Sequence, residues 1–211
     1  MKLFFILSIF LLNSCFALDI TQIQSFSAQS KILNTIEKDK NYVPQEQRDL
    51  IKSKKMALTS ESLIQQIKKN KYDNVKLLLD CKLDPNEPYF TDYPITISAK
   101  YNKFEILELL YEYGAQIDRG FSSELYYAIK NKNHKMAMFL IERNANFNYR
   151  DEFSNYSILA LSLKNNMPQV ALTLIQKGAN IDINALQLIK KKKLTLEVER
   201  ILTTKGENNG R

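Results

Sequence analysis

Apolar residues recur at helical spacing in four stretches of the chain, 74–86, 105–118, 135–148 and 169–182. Their apolar cores are Val75/Leu77/Leu78/Leu79, Ile106/Leu107/Leu109/Leu110, Met136/Ala137/Phe139/Leu140/Ile141 and Val170/Ala171/Leu174/Ile175. Each stretch breaks off in the same way: a turn residue (Lys82, Gly114, Asn144, Gly178), a small or apolar residue, then a polar pair around an apolar or Pro position. A shorter apolar run precedes each, so the units start at Glu61, Tyr93, Ser123 and Ser157, in steps of 32, 30 and 34 residues. The 3.6-residue period predicts helix pairs at 61–69 and 73–81, 95–101 and 105–113, 125–131 and 135–143, and 159–165 and 169–177. Recurrence at this interval marks a stacked solenoid, in which each unit must bury its apolar face on the next. Leu77, Leu78, Leu109, Leu110, Phe139, Leu140, Leu174 and Ile175 are the expected core.

The units resemble the ankyrin repeat, whose consensus runs T-P-L-H-x-A, a short helix, a tight turn, a longer leucine-rich helix, G-A-D-x-N and a finger loop. The resemblance implies an all-α fold: an ankyrin-repeat solenoid of stacked antiparallel helix pairs joined by β-hairpin-like finger loops. The repeats run at about 61–92, 93–122, 123–156 and 157–182, within a segment 59–182. The second helix and its exit match well. The T-P-L-H end does not: Pro appears only as Pro94, the hydroxyl only as Ser123 and Ser157, and Ile64, Thr96, Tyr126 and Ala160 replace His. The ties between repeats that the family builds from that Thr and His are therefore not expected, and apolar stacking carries more of the stability. The helix exit needs left-handed backbone, which suits Gly114, Gly178 and Asn144. Lys82 there costs about 1–2 kcal/mol, so the first unit should be the least regular.

The ends of the chain differ from its middle. Lys2, the apolar run Leu3 to Leu12 and Cys15-Phe16-Ala17 read as a signal peptide over 1–17, too short to span a bilayer. Leu12-Asn13-Ser14-Cys15 also resembles a lipobox, which would anchor the chain by lipid at Cys15. Residues 18–58 read as a helical extension or cap, with one helix around Ile20 to Ile36 and a second from Pro44 to about Ala57 with Leu50 and Ile51 on its apolar side. Asn184 to Ile189 and Leu194 to Leu202 read as a degenerate capping helix pair (183–204) with a polar outer face, followed by a disordered tail, 205–211.

Charge and chemistry then narrow the function. The chain carries 30 basic and 23 acidic residues, and loss of Lys2 with the signal would leave a net +6, too little for a dedicated nucleic-acid binder. Cys81 would remain alone, which excludes a disulfide framework. His134, the single histidine, sits in a turn with no carboxylate or Cys beside it in sequence. No catalytic group, metal site or cofactor is expected. The eighth position of every unit is lysine: Lys68, Lys100 (followed by Tyr101), Lys130 and Lys164. In ankyrin arrays this position faces the concave groove, and stacked helices about 8–10 Å apart would align the four into a positive column. Lys190 to Lys193 extend it. The alternative is a solvated row that complements helix C-termini. The finger loops add Tyr89, Phe90, Phe121, Phe153 and Tyr156, either as contact anchors or folded back over the stack. The expectation is an exported, monomeric, non-catalytic protein that binds a partner with an acidic surface through groove and fingers. A signal peptide on a chain rich in Lys, Asn and Ile looks bacterial, so a periplasmic adaptor and a secreted host-directed effector are both open, with an envelope lipoprotein as the alternative.

Overall fold

The computed structural model describes residues 43–120, 122–150 and 156–208, with backbone alone for 204–208. They belong to one compact unit that begins at Val43. The signal peptide with Cys15, the helix expected around Ile20 to Ile36, and Phe121 and Phe153 lie outside the described residues.

Eleven helices are described: α1 Gln45–Ser53, α2 Ser60–Lys68, α3 Tyr72–Asp80, α4 Pro94–Lys100, α5 Phe104–Glu112, α6 Glu124–Lys130, α7 His134–Glu142, α8 Ile158–Lys164, α9 Pro168–Lys177, α10 Ile183–Lys191 and α11 Thr195–Asn208. The described residues form no strand, only isolated bridges Tyr89–Asp92 and Arg150–Ser157 at the bases of fingers. From α2 to α9 the helices pair, first helices α2, α4, α6, α8 and α10 pack each on the next, and α11 packs on α9. Second helices form a parallel row, with α1 closing it against α3.

Every helix of the four repeats starts one residue before its predicted position, and all but α9 end one residue early as well. The residue counted as last is instead the C-cap, because the chain then turns left-handed. Within pairs the left-handed residues are Asn70, Asn102, Lys132, Asn166 and Lys193; at second-helix exits they are Lys82, Gly114, Asn144 and Gly178. Each is followed by an N–H that reaches back five residues, as from Lys103 to Ser98 O (2.8 Å) and from Ala115 to Leu110 O (2.9 Å). This is the Schellman closure, which satisfies the last helical carbonyls and packs the next residue inward. Ala115, Ala145 and Ala179 are accordingly buried, which explains the small residue after three of the four exit turns; after Lys82 the partly buried Leu83 takes that place. Helix starts are capped where hydroxyls or Asn permit: Ser123 accepts from Tyr126 N, Ser157 from Ala160 N and Asn133 from Met136 N. In the first unit the cap is Thr59, two residues ahead of the aligned Glu61, so α2 is longer than its counterparts.

Seven of the eight expected core side chains are buried. Each fully buried Leu or Ile is worth about 1.5–3 kcal/mol. Phe139 is the exception: it is half-buried in an aromatic cluster, edge-on to Phe104 and Tyr111 (5.6 Å to each), with the Arg143 guanidinium 3.4 Å from its ring centre. At the N-terminal end Val43 and Ile51 join the core, whereas Leu50 is exposed, contrary to its expected place on the apolar side. Lys54 Nζ also bonds Asn74 Oδ1 (2.8 Å), so α1 is docked on the first unit. At the other end two expectations are corrected. α11 continues as helix to Asn208, since no proline stops it after Leu202. The terminal pair is not polar outside: Ile183, Leu186, Leu196 and Leu202 are exposed.

Candidate interaction surface

Polar ties between repeats exist after all, made by other residues than the family's Thr and His. Asn131 Nδ2 donates to Ala99 O (3.0 Å) and Asn165 Nδ2 to Ile129 O (2.8 Å), so the C-caps of α6 and α8 hold the ends of α4 and α6. Asn133 bonds Asn102 across the next turn (2.8 Å). On the finger side, Asn86 Oδ1 accepts from Gln116 N (2.8 Å) and Asp118 Oδ2 from Asn146 N (2.6 Å). Thr96, at the position of the family's His, bonds Glu124, at the position of its Pro. Glu124 is fully buried, and its Oε2 accepts from Asp118 N (2.9 Å). Burial pushes this carboxyl up to about 7 and the nearby Asp118 charge adds to the rise, while the bonds from Thr96 and the backbone oppose it. These bonds fix the spacing of the units and therefore of whatever the first helices display.

What they display is lysine. Lys68, Lys100, Lys130 and Lys164 are the last residues of α2, α4, α6 and α8, and all four are exposed. Their ammonium groups complement the negative end of each helix. Three are further engaged. Lys68 lies 3.7 Å from the Asp92 carboxylate and over the exposed Tyr101 ring (5.8 Å). Lys130 covers Tyr126 at 5.4 Å, and Lys164 covers Tyr156 at 4.2 Å. Among the described residues Lys100 makes no such contact. The row continues into α10, where Lys192 Nζ bonds Asn166 Oδ1 (3.0 Å) and Lys190 and Lys191 are exposed.

The described finger aromatics divide. Phe90 is 85% exposed, on left-handed backbone at the tip of the first finger, edge-on to Tyr89 (4.5 Å). Tyr89 and Tyr156 instead fold back and pack against the core. Sequence reading named the lysines with Tyr101 and Tyr156 but missed Tyr126, one helical turn before Lys130, and did not pair Tyr101 with Lys68 of the neighbouring unit or Tyr156 with Lys164. The Asn ties had a signal in Lys130-Asn131 and Lys164-Asn165, where an amide follows the lysine in successive units.

The second helices present different chemistry. A cleft of about 490 Å³ between α3 and α5 is lined by Asn70, Tyr72, Leu109 and the carboxylates of Glu105, Glu108 and Glu112. Basic charge on the first helices and acidic charge on α5 leave two surfaces suited to opposite partners. His134 begins α7 and is exposed, and Cys81 is buried beside Gln47 (3.7 Å). Among the described residues no group of three acidic, His or Cys side chains could hold a metal ion.

A repeated helix pair with a basic first-helix face defines a helical-repeat scaffold. Residues 63–151 match the family model for ankyrin repeats (3 copies), and the stack is an ankyrin-repeat solenoid. The fourth repeat, beyond that match, keeps the same pairing and turns. Ankyrin repeats generally mediate protein–protein interaction and are typically non-catalytic. No curated protein matches the chain.

Proposed function

We propose that this chain is an exported ankyrin adaptor that holds an acidic segment of another protein along its first-helix face. The observation that carries the reading is the row Lys68, Lys100, Lys130 and Lys164, spaced by a polar ladder that keeps successive units in register. Tyr101, Tyr126 and Tyr156 beside it add apolar area next to each ammonium, and Phe90 offers an anchor at one edge. Carboxylates of the partner would displace the weak ammonium–ring contacts, gaining charge pairing at little cost in burial. The fold does not choose the partner. Export rests on Lys2, the run Leu3 to Leu12 and Cys15-Phe16-Ala17. A mature chain that begins at Leu18 supports a soluble periplasmic or secreted protein, and a lipid-modified Cys15 an anchored one. The face is tested by placing a photo-crosslinking residue at position 100 or at position 108 in the native compartment. Capture of a partner from position 100 and not from 108 is expected. Capture from 108 alone moves the site to the acidic cleft and ends this reading.

A further inference from the structure

The exposed side of an end unit in a solenoid is ordinarily polar. Here it is not. Ile183, Leu186, Leu196 and Leu202 are all exposed, Ile183 and Leu196 by about two thirds. On α10 the buried side chains are Ala185 and Ile189, which pack into the stack. The opposite stripe, at helical spacing, is Ile183, Leu186, Gln187 and Lys190. On α11 Val198 is buried and Leu196 lies exposed. From Ile183 to Leu194 there is no acidic residue, and α10 with its turn carries Lys190, Lys191, Lys192 and Lys193. Lys192 is held by Asn166, while Lys190, Lys191 and Lys193 are exposed. Beside Leu196 stand Glu197 and Glu199, so the positive charge of this end lies on α10 and its turn.

We propose that this end of the stack, Ile183, Leu186 and Leu196 bordered by Lys190, Lys191 and Lys193, docks on an anionic lipid surface. Two physical features choose this occupant. The first is charge. A second copy placed end to end would bring two sets of like lysines together, whereas a layer of anionic headgroups complements them. The second is the type of apolar group. The three residues are aliphatic, without the Trp or Tyr that anchor protein interfaces. Short aliphatic side chains beside lysines suit the boundary between headgroups and acyl chains, with ammonium groups at phosphate level and methyl groups just beneath. No described helix is long and apolar enough to cross a bilayer, so the attachment is peripheral. It leaves the lysine row of α2 to α8 free for a protein partner.

The test is co-sedimentation of the full chain with vesicles of phosphatidylcholine containing about one third phosphatidylglycerol, against pure phosphatidylcholine. The parent should bind the anionic vesicles and release as salt rises. The pair Ile183→Gln with Leu196→Gln should weaken binding at least about tenfold. Lys190→Glu with Lys191→Glu should do the same and should abolish the preference for anionic lipid. Thermal melting of both variants, expected to be close to the parent because the changed side chains are exposed, removes misfolding as an explanation. Any contribution of residues 1–17 is common to all three chains, so equal binding by parent and variants overturns the proposal. So does a concentration-dependent dimer that is lost in the Gln variant while vesicle binding persists, since a second copy would then cover the face. Partner capture from position 100 should be unchanged in the Ile183→Gln, Leu196→Gln variant, which separates this claim from the proposed function.

Discussion

Replacing Glu124 with Gln tests how the units are tied. The carboxyl lies between two repeats, bonded to Thr96 of one and to the backbone of Asp118 where the second finger begins. Its ordinary value of 4.5 is raised to about 7, first by burial and then by the Asp118 charge. The folded chain therefore holds this proton more tightly than the unfolded chain. The stability so gained is complete below about 4.5 and is lost as pH rises through about 7. At about 1.4 kcal/mol per tenfold, the loss between about pH 5 and pH 8 approaches 3 kcal/mol. Gln keeps the shape. Its amide N–H can donate to Thr96 Oγ1 and its carbonyl can accept from Asp118 N, without a charge to bury. The variant should match the parent near pH 5 and be more stable by about 2–3 kcal/mol near pH 8. Asp80 and Asp182 do not confuse the result. Both are lowered from 3.8 although burial opposes it, Asp80 by its bonds with Lys76 and Tyr113, Asp182 by bonds from Ala185 N, Ser157 and Arg150. Their stabilisation is present above 3.8 and fades only in acid. Urea denaturation at both pH values gives the size, and hydrogen exchange in α4 and α6 gives the place. A variant as pH-sensitive as the parent in this window refutes the reasoning, as does one less stable near pH 8.

Two further substitutions probe the turns and the ladder. Lys82→Gly should stabilise the first unit by about 1 kcal/mol in urea denaturation, because Lys82 adopts φ 66° where its exit turn requires left-handed backbone. Asn165→Ala removes the donor to Ile129 O and should cost about 1–2 kcal/mol, with faster exchange at the α6–α8 junction and none of it near α2.

Helix number, pairing and burial were legible because a solenoid repeats its apolar code, so each unit checks the others. Boundaries slipped by one residue because the C-cap keeps an apolar or polar identity compatible with helix, and only the left-handed residue after it marks the stop. Asn70, Asn102 and Asn166 carried that mark inside the pairs; Lys132 and Lys193 did not, since lysine has no preference for such backbone. Thr59 was missed as a cap because α2 begins ahead of the repeat period. Glu124 was illegible in a different way. A glutamate at a helix start usually faces water, and only the three-dimensional approach of Thr96 and Asp118 encloses it. The exposed leucines of α10 and α11 obey the helical period as well as buried ones do, so the period alone could not tell them apart.

The central claim is that partners bind along the lysine row. Its most direct measurement is the association rate of the captured partner with the parent and with a Lys100→Glu, Lys130→Glu variant, taken across a salt series. Both side chains are exposed, so the fold and melting should change little. The parent should associate rapidly at low salt and lose that advantage as the Debye length shrinks. The variant should associate at least about tenfold more slowly at low salt, with a nearly flat salt dependence. Equal rates and equal salt slopes for the two chains would contradict the account and turn attention to Phe90 and the finger loops.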